Sequence, residues 1–167
     1  MNHIEHQKAA PESIVCVVLT ISDTRSETTD MSGKLIIDLL TAAKHKILEK
    51  KIIRDEPSEI TTTLKRVLSN TSTQVVITTG GTGISKRDQT YDVIRKLLEK
   101  PIDGFGELFR ALSYQEIGSS AMLTRACAGT ALGKILISIP GSENAVRLAM
   151  EKLILPELGH LVREVSR

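Results

Sequence analysis

The sequence predicts a three-layer α/β/α domain, helices packed on both faces of a mainly parallel β-sheet. Three observations carry that expectation. Continuously apolar, β-branched runs, I-V-C-V-V-L-T-I at residues 14–21 and V-V-I at 75–77, have the composition of strands covered on both faces. These runs alternate with amphipathic stretches of helical period, the order that builds parallel sheets. A glycine-rich turn, T-T-G-G-T-G at residues 78–83, joins one such strand to the helix after it.

Composition sets the bounds. At 167 residues the chain is long enough for one domain with a sizeable core. Aromatics are only 2% of it, with no Trp, so the core is built from Ile, Leu, Val and Ala. That scarcity, with a net charge of +2 and no Lys/Arg block, argues against nucleic acid as a partner. Cys16 and Cys127 each sit in an apolar, strand-like run and read as buried thiols in a reducing compartment. The histidines (His3, His6, His45, His160) match no zinc spacing. No run of 18 apolar residues and no signal-peptide region is present, so a cytoplasmic protein without a membrane segment is expected.

Residues 1–13 are polar, with Pro11 near their end, and read as a flexible arm preceding a single domain at 14–167. The first strand, 14–21, ends in the polar quartet Ser22-Asp23-Thr24-Arg25. D-M-S-G at 30–33 leads into a helix with Leu35, Ile36, Leu39 and Leu40 facing inward. Residues 46–54 form a second, more exposed strand, followed by Asp55 and a helix over about 58–69. The strand 75–77 and its glycine turn lead to a helix over about 89–99, starting near Asp88 and ending before Pro101. Further helices are expected over 105–112 and 119–125. Strands follow at 126–132 and 134–139, and Pro140-Gly141-Ser142 ends the second. A long amphipathic helix closes the chain, with Pro156 kinking it.

Right-handed crossovers then bring the strand ends at Ser22, Asp55, Thr79 and Pro140 to one sheet edge. Ligands of open α/β sheets bind at that edge. Glycines let backbone N–H groups approach an anion closely, and the Thr hydroxyls add donors. Asp88 adds a carboxylate where a hydrated Mg²⁺ can sit. Glycine beside carboxylate therefore suggests phosphate with a divalent metal. Taken alone, the same glycines also serve a plain tight turn, Asp88 a helix cap, and Asp55 and the 22–25 quartet ordinary loop chemistry.

Six blocks occurring in order narrow the reading: T-I-S-D-T-R (20–25), D-M-S-G (30–33), T-T-G-G-T-G-I-S-K-R-D-Q-T (78–90), G-F-G-E-L-F-R-A-L-S (104–113), L-T-R-A-C-A-G-T (123–130) and I-P-G-S-E-N-A-V (139–146). Together they resemble the molybdenum cofactor biosynthesis family of MoaB and MogA type, closer to MoaB, from about residue 14 onward. The resemblance implies a mixed, mostly parallel sheet and a homotrimer or homohexamer, with other cofactor-biosynthesis proteins as further partners. It implies binding of molybdopterin and Mg²⁺-dependent transfer of AMP from ATP to its terminal phosphate; a non-catalytic molybdopterin-binding or scaffold role in the same pathway is the alternative. It implies Asp55 and Asp88 as catalytic and metal-holding carboxylates. Ser22, Asp23, Thr79, Gly80, Gly81, Thr82, Gly83, Ser113, Arg125, Pro140, Gly141 and Ser142 become the substrate-binding set. The family's R-D-x-T-P-E reads R-D-Q-T-Y-D here, so Tyr91 stands where proline pre-organises the helix start. That change is expected to cost rigidity rather than chemistry.

Overall fold

The computed structural model describes residues 11–167. Most of the expected arm, residues 1–10, lies outside the described part. Six strands form one sheet: β1 (Val15–Ile21), β2 (Lys46–Ile53), β3 (Val75–Thr79), β4 (Lys100–Pro101), β5 (Cys127–Ala131) and β6 (Lys134–Ile139). Their spatial order is β2-β1-β3-β6-β5-β4. β2, β1, β3 and β6 run parallel, whereas β5 is antiparallel to β6 and β4 antiparallel to β5. The mixed, mostly parallel sheet is thus present.

Helices α1 (Met31–Ala42), α2 (Pro57–Ser69), α3 (Thr90–Leu97), α4 (Asp103–Ile117), α5 (Glu143–Ala149) and α6 (Leu155–Val165) cover both faces. The alternation of the β1 side chains decides which face each meets. Cys16 and Val18 join α1, α4, α5 and α6 through Ile36, Leu40, Phe109, Val146 and Leu158. Val17, Leu19 and Ile21 join α2 and α3 through Ile60, Leu64, Val67 and Ile94. Within α1, Ile36 and Leu40 are fully buried, and Leu35 and Leu39 only partly so. β2 is an edge strand whose outward residues stay wet, which accounts for its poor alternation.

Four elements differ from expectation. α4 is longer than 105–112, and it stops where Gly118 adopts φ +64°. The segment after it is a 3₁₀ turn, Gly118–Leu123, rather than a helix to Arg125. Lys100–Pro101 pairs with β5 as a two-residue edge strand; proline is tolerated there because an outer N–H has no ladder to join. At the C-terminus the chain widens into a π-turn, Met150–Ile154, just ahead of Pro156. Proline cannot donate to a preceding carbonyl, and the wider turn accommodates that loss.

Candidate functional site

The connection from β1 leaves towards β2, and the one from β3 leaves towards β6, so the two diverge at their carboxyl ends. Such a switch point opens a crevice in a doubly wound sheet. Here it is a cleft of about 420 Å³, floored by Thr20, Ile21 and Thr79 and walled by Gly80–Gly83 on one side. Arg25, Ser32, Pro140 and Gly141 form the other wall, and Leu123 and Thr124 sit at its lip.

The glycine turn is shaped by its neighbours. Gly80 takes φ +100°, and any Cβ there would strike the carbonyl oxygen of Ile21. Gly81 takes φ +67°, and its Cβ would come within 2.6 Å of Asp55 Oδ2. Positive φ and absent space together require glycine at both positions. The N–H of Gly80 donates to Ile139 O at 3.0 Å, and Thr79 Oγ1 donates to Pro140 O at 2.9 Å, tying the β3 and β6 ends together. Gly80 is therefore spent within the protein. Among the described residues, the N–H groups of Gly81, Thr82 and Gly83 meet no protein acceptor. The anion-receiving part of the turn is Gly81–Gly83.

Two of the carboxylates have different stations. Asp88 lines the cleft and accepts from the backbone N–H of Ser85 at 2.9 Å and its hydroxyl at 2.6 Å. It does not cap α3, whose cap position is Gln89 with no side-chain bond. This removes the alternative reading as a helix cap: Asp88 closes a short loop turn instead. Asp55 is buried at 6% exposure behind Gly81, accepting from Gln89 N and Thr90 Oγ1, each at 3.2 Å. Burial pushes its pKa above the usual carboxylate value, against these two bonds and with the charges of Asp88 and Asp23 adding to the rise. Asp23 points away to the surface, paired with Arg87 at 2.6 and 3.0 Å. That pairing holds its carboxyl below the usual range.

Of the expected site residues, Ser22, Thr79, Gly80, Gly81, Thr82, Gly83, Asp88, Pro140 and Gly141 come together at the cleft. The others stand back from it. Ser113 is buried on α4, and Ser142 caps α5 by accepting from Ala145 N. Arg125 braces the turn rather than facing the cleft. It donates to the carbonyl oxygens of Thr82 and Asp88, both at 3.3 Å, and to the Asp92 carboxylate at 3.1 and 3.2 Å. Its guanidinium lies 4.8 Å over the Tyr91 ring. Tyr91 and Asp92 are the two departures from the family pattern, and both engage this one arginine. The rigidity that proline gives through the backbone is supplied here through a stacked cation.

Sequence reasoning met Arg25 and Ser32 only inside larger blocks and singled out neither. The T-I-S-D-T-R block contained the arginine, but only the fold shows its hydrogen bond to Gly141 O, 116 residues away.

For a divalent metal the donor set is sparse. Asp88 is the one carboxylate among the cleft-lining residues, and no cluster of three or more His, Cys, Asp or Glu suited to a metal occurs among the described residues. That set fits Mg²⁺, which keeps several waters and binds through one or two carboxylates together with substrate phosphates. It does not fit an all-protein cage.

Residues 17–160 match the family model described as "Probable molybdopterin binding domain". Molybdenum cofactor biosynthesis protein B of Bacillus cereus is 51% identical over 168 residues, covering 100% of this chain and 99% of the relative. The Bacillus subtilis protein of the same name is 46% identical, over 98% of this chain and 96% of the relative. Among solved structures, a molybdenum cofactor biosynthesis protein B superposes with a TM-score of 0.91 at 52% identity, covering 95% of this chain and 99% of the other. The tungsten cofactor synthesizing protein MoaB from Pyrococcus furiosus gives 0.83 at 37% identity, covering 95% and 100%.

Proposed function

Because this chain belongs to the molybdenum cofactor biosynthesis family of MoaB type, we propose that its cleft binds molybdopterin and transfers AMP from ATP to the pterin's terminal phosphate. The observation that carries the reading is the pairing, on one wall, of unsatisfied Gly81–Gly83 N–H groups with the Asp88 carboxylate. N–H groups without a protein acceptor favour phosphate oxygens, and a carboxylate beside them favours the cation that accompanies a polyphosphate.

Nucleotidyl transfer needs positioning and charge neutralisation more than a protein nucleophile. The attacking group is the substrate's own phosphate oxygen, and pyrophosphate leaves. Gly81–Gly83 orient the phosphates; Thr79 and the β6 end keep the floor rigid. Asp88 would hold Mg²⁺, with Asp55 behind Gly81 adding negative potential; bound there, the ion supplies neutralisation of phosphate charge. The assembly is proposed to be a homotrimer or homohexamer acting in the cytoplasm. Among the described residues no helix is long and apolar enough to cross a membrane.

One observation favours a second reading, a pterin-binding subunit without turnover. Asp55 does not face the cleft, and its bonds to Gln89 and Thr90 also suit a purely structural carboxylate. Incubating the protein with molybdopterin, Mg²⁺ and ATP separates the two. Pyrophosphate release matched to adenylylated pterin supports the enzyme, and tight pterin binding without it supports the second reading.

A further inference from the structure

Among the described residues, the polar lining of the cleft is hydroxyls, glycine backbone and one carboxylate, and Arg25 is its single basic side chain. We propose that Arg25 is the anion anchor of the cleft, its guanidinium receiving the phosphate monoester of the bound pterin on the wall opposite the glycine turn.

Two hydrogen bonds hold the side chain. Nη1 donates to Ser32 Oγ at 2.5 Å, and Nη2 donates to Gly141 O at 2.9 Å. These partners come from α1 and from the β6–α5 connection, so the guanidinium is fixed from two sides while about a third of the side chain stays exposed. Only two of its five donor hydrogens are accounted for by these bonds. A fork immobilised in this way recognises phosphate with little further loss of side-chain entropy.

Its charge is also only loosely spent. The nearest carboxylate, buried Asp30, is 3.8 Å from Nη1. Asp30 is served more closely by Thr20 Oγ1 at 2.7 Å, Gly33 N at 2.9 Å and Lys50 Nζ at 3.4 Å. Lys50, shared with Glu27 at 2.9 Å, also lies nearer to Asp30 than Arg25 does, so Arg25 is the less committed of the two cations and can act on a ligand. Beside it, Ser22 Oγ accepts from the N–H groups of Thr24 and Arg25, and its hydroxyl neighbour, Thr24 Oγ1 at 3.5 Å, is distant enough for the Ser22 hydroxyl to turn to a cleft ligand. A guanidinium with an adjacent hydroxyl donor matches a phosphate monoester.

This inference rests on the proposed pterin specificity for the identity of its ligand, and its test separates the two. Calorimetric titration compares molybdopterin with the same pterin stripped of its phosphate, on the wild type and on Arg25→Gln. The wild type is expected to prefer the phosphorylated form by about 10- to 100-fold, the range of a charge-assisted hydrogen bond, and Arg25→Gln to lose that preference. An unchanged preference in Arg25→Gln, with only a lower melting temperature, would overturn the anchor and leave Arg25 a strap between α1 and Gly141. If Arg25→Gln fails to fold, Arg25→Lys takes its place: a reduced preference supports the anchor, and an undiminished one overturns it. Absence of pyrophosphate release would sink adenylyl transfer without touching this result. In a protein that binds no pterin, inorganic pyrophosphate must raise the melting temperature of the wild type but not of the variant, or the anchor falls.

Discussion

Both hydrogen bonds from Ser85 converge on one oxygen of Asp88, the backbone N–H at 2.9 Å and the hydroxyl at 2.6 Å. The same oxygen packs against Gly83, where a Cβ would approach to 2.7 Å. An amide oxygen can take over both bonds, so Asp88→Asn is expected to fold with a stability loss under about 1 kcal/mol. Molybdopterin binding should persist. Adenylyl transfer should fall on the order of 100-fold, as when a charged contact to the reacting phosphates is lost. Wild-type turnover in Asp88→Asn would restrict this residue to closing the loop.

Asp55 gives a pH signature. Its folded pKa is raised, so between the unfolded value of 3.8 and that raised value the native chain binds more protons than the unfolded one. Stability from this group therefore rises as the pH falls through the window, and ionised Asp55 lowers stability at neutral pH. Asp55→Asn is expected to be at least as stable as the wild type at pH 7, with the difference shrinking as the pH drops through the raised pKa. Asp23 acts in the opposite sense, its lowered pKa giving stability that is lost only below the usual carboxylate range. Thermal melts of the variant and the wild type, paired at each pH, isolate the Asp55 part. A variant less stable at neutral pH, with the deficit vanishing as the pH falls, would show instead that the ionised carboxylate stabilises the fold.

Gly81→Ala should be costly. The added methyl meets Thr90 Oγ1 and Asp55 Oδ2 in a backbone at φ +67°. Strain and clash together are expected to cost about 2 kcal/mol or more, with loss of ligand binding. Gly104→Ala, in open space within α4, should be neutral or slightly stabilising, and urea melts of the two variants make the comparison.

Tyr91→Pro exchanges one source of rigidity for the other. The first-turn position of Tyr91 in α3 tolerates a missing N–H. Losing the stacked cation costs about 0.5–1 kcal/mol, and fixing φ returns about 0.4–1 kcal/mol. The net change should be near zero. Arg125→Ala, in contrast, releases both Thr82 O and Asp88 O, so hydrogen exchange should accelerate at the bonded N–H groups of Ser85, Arg87, Asp88 and Gln89 in that variant and stay slow in Tyr91→Pro.

Strands β1 and β3 were legible because burial on both faces leaves an unbroken apolar run, and the polar or glycine-rich residues behind them marked the cleft. β4 was not, since two residues ending in proline carry no periodicity. The stretch 119–125 read as a helix, yet Gly118 at φ +64° ends α4 and Met122 and Leu123 remain exposed. At the site, sequence named Asp55 and Asp88 but not their depths, since depth depends on which side of Gly81 a side chain lies. The carbonyl partners of Arg125 and Arg25 were not legible, because each is held by distant carbonyl oxygens that no local pattern records.

Cys16 and Cys127, the chain's only thiols, lie within β1 and β5, and burial pushes their pKa up to about 12 and about 11. At neutral pH neither offers appreciable thiolate, the form that alkylating and disulfide reagents attack. The folded chain is thus chemically silent to maleimides, and a single new cysteine at exposed Lys86 would take a fluorophore or spin label without background. The bend of the glycine turn could then be followed optically as phosphate compounds arrive, in a molecule that needs no prior removal of its own sulfur.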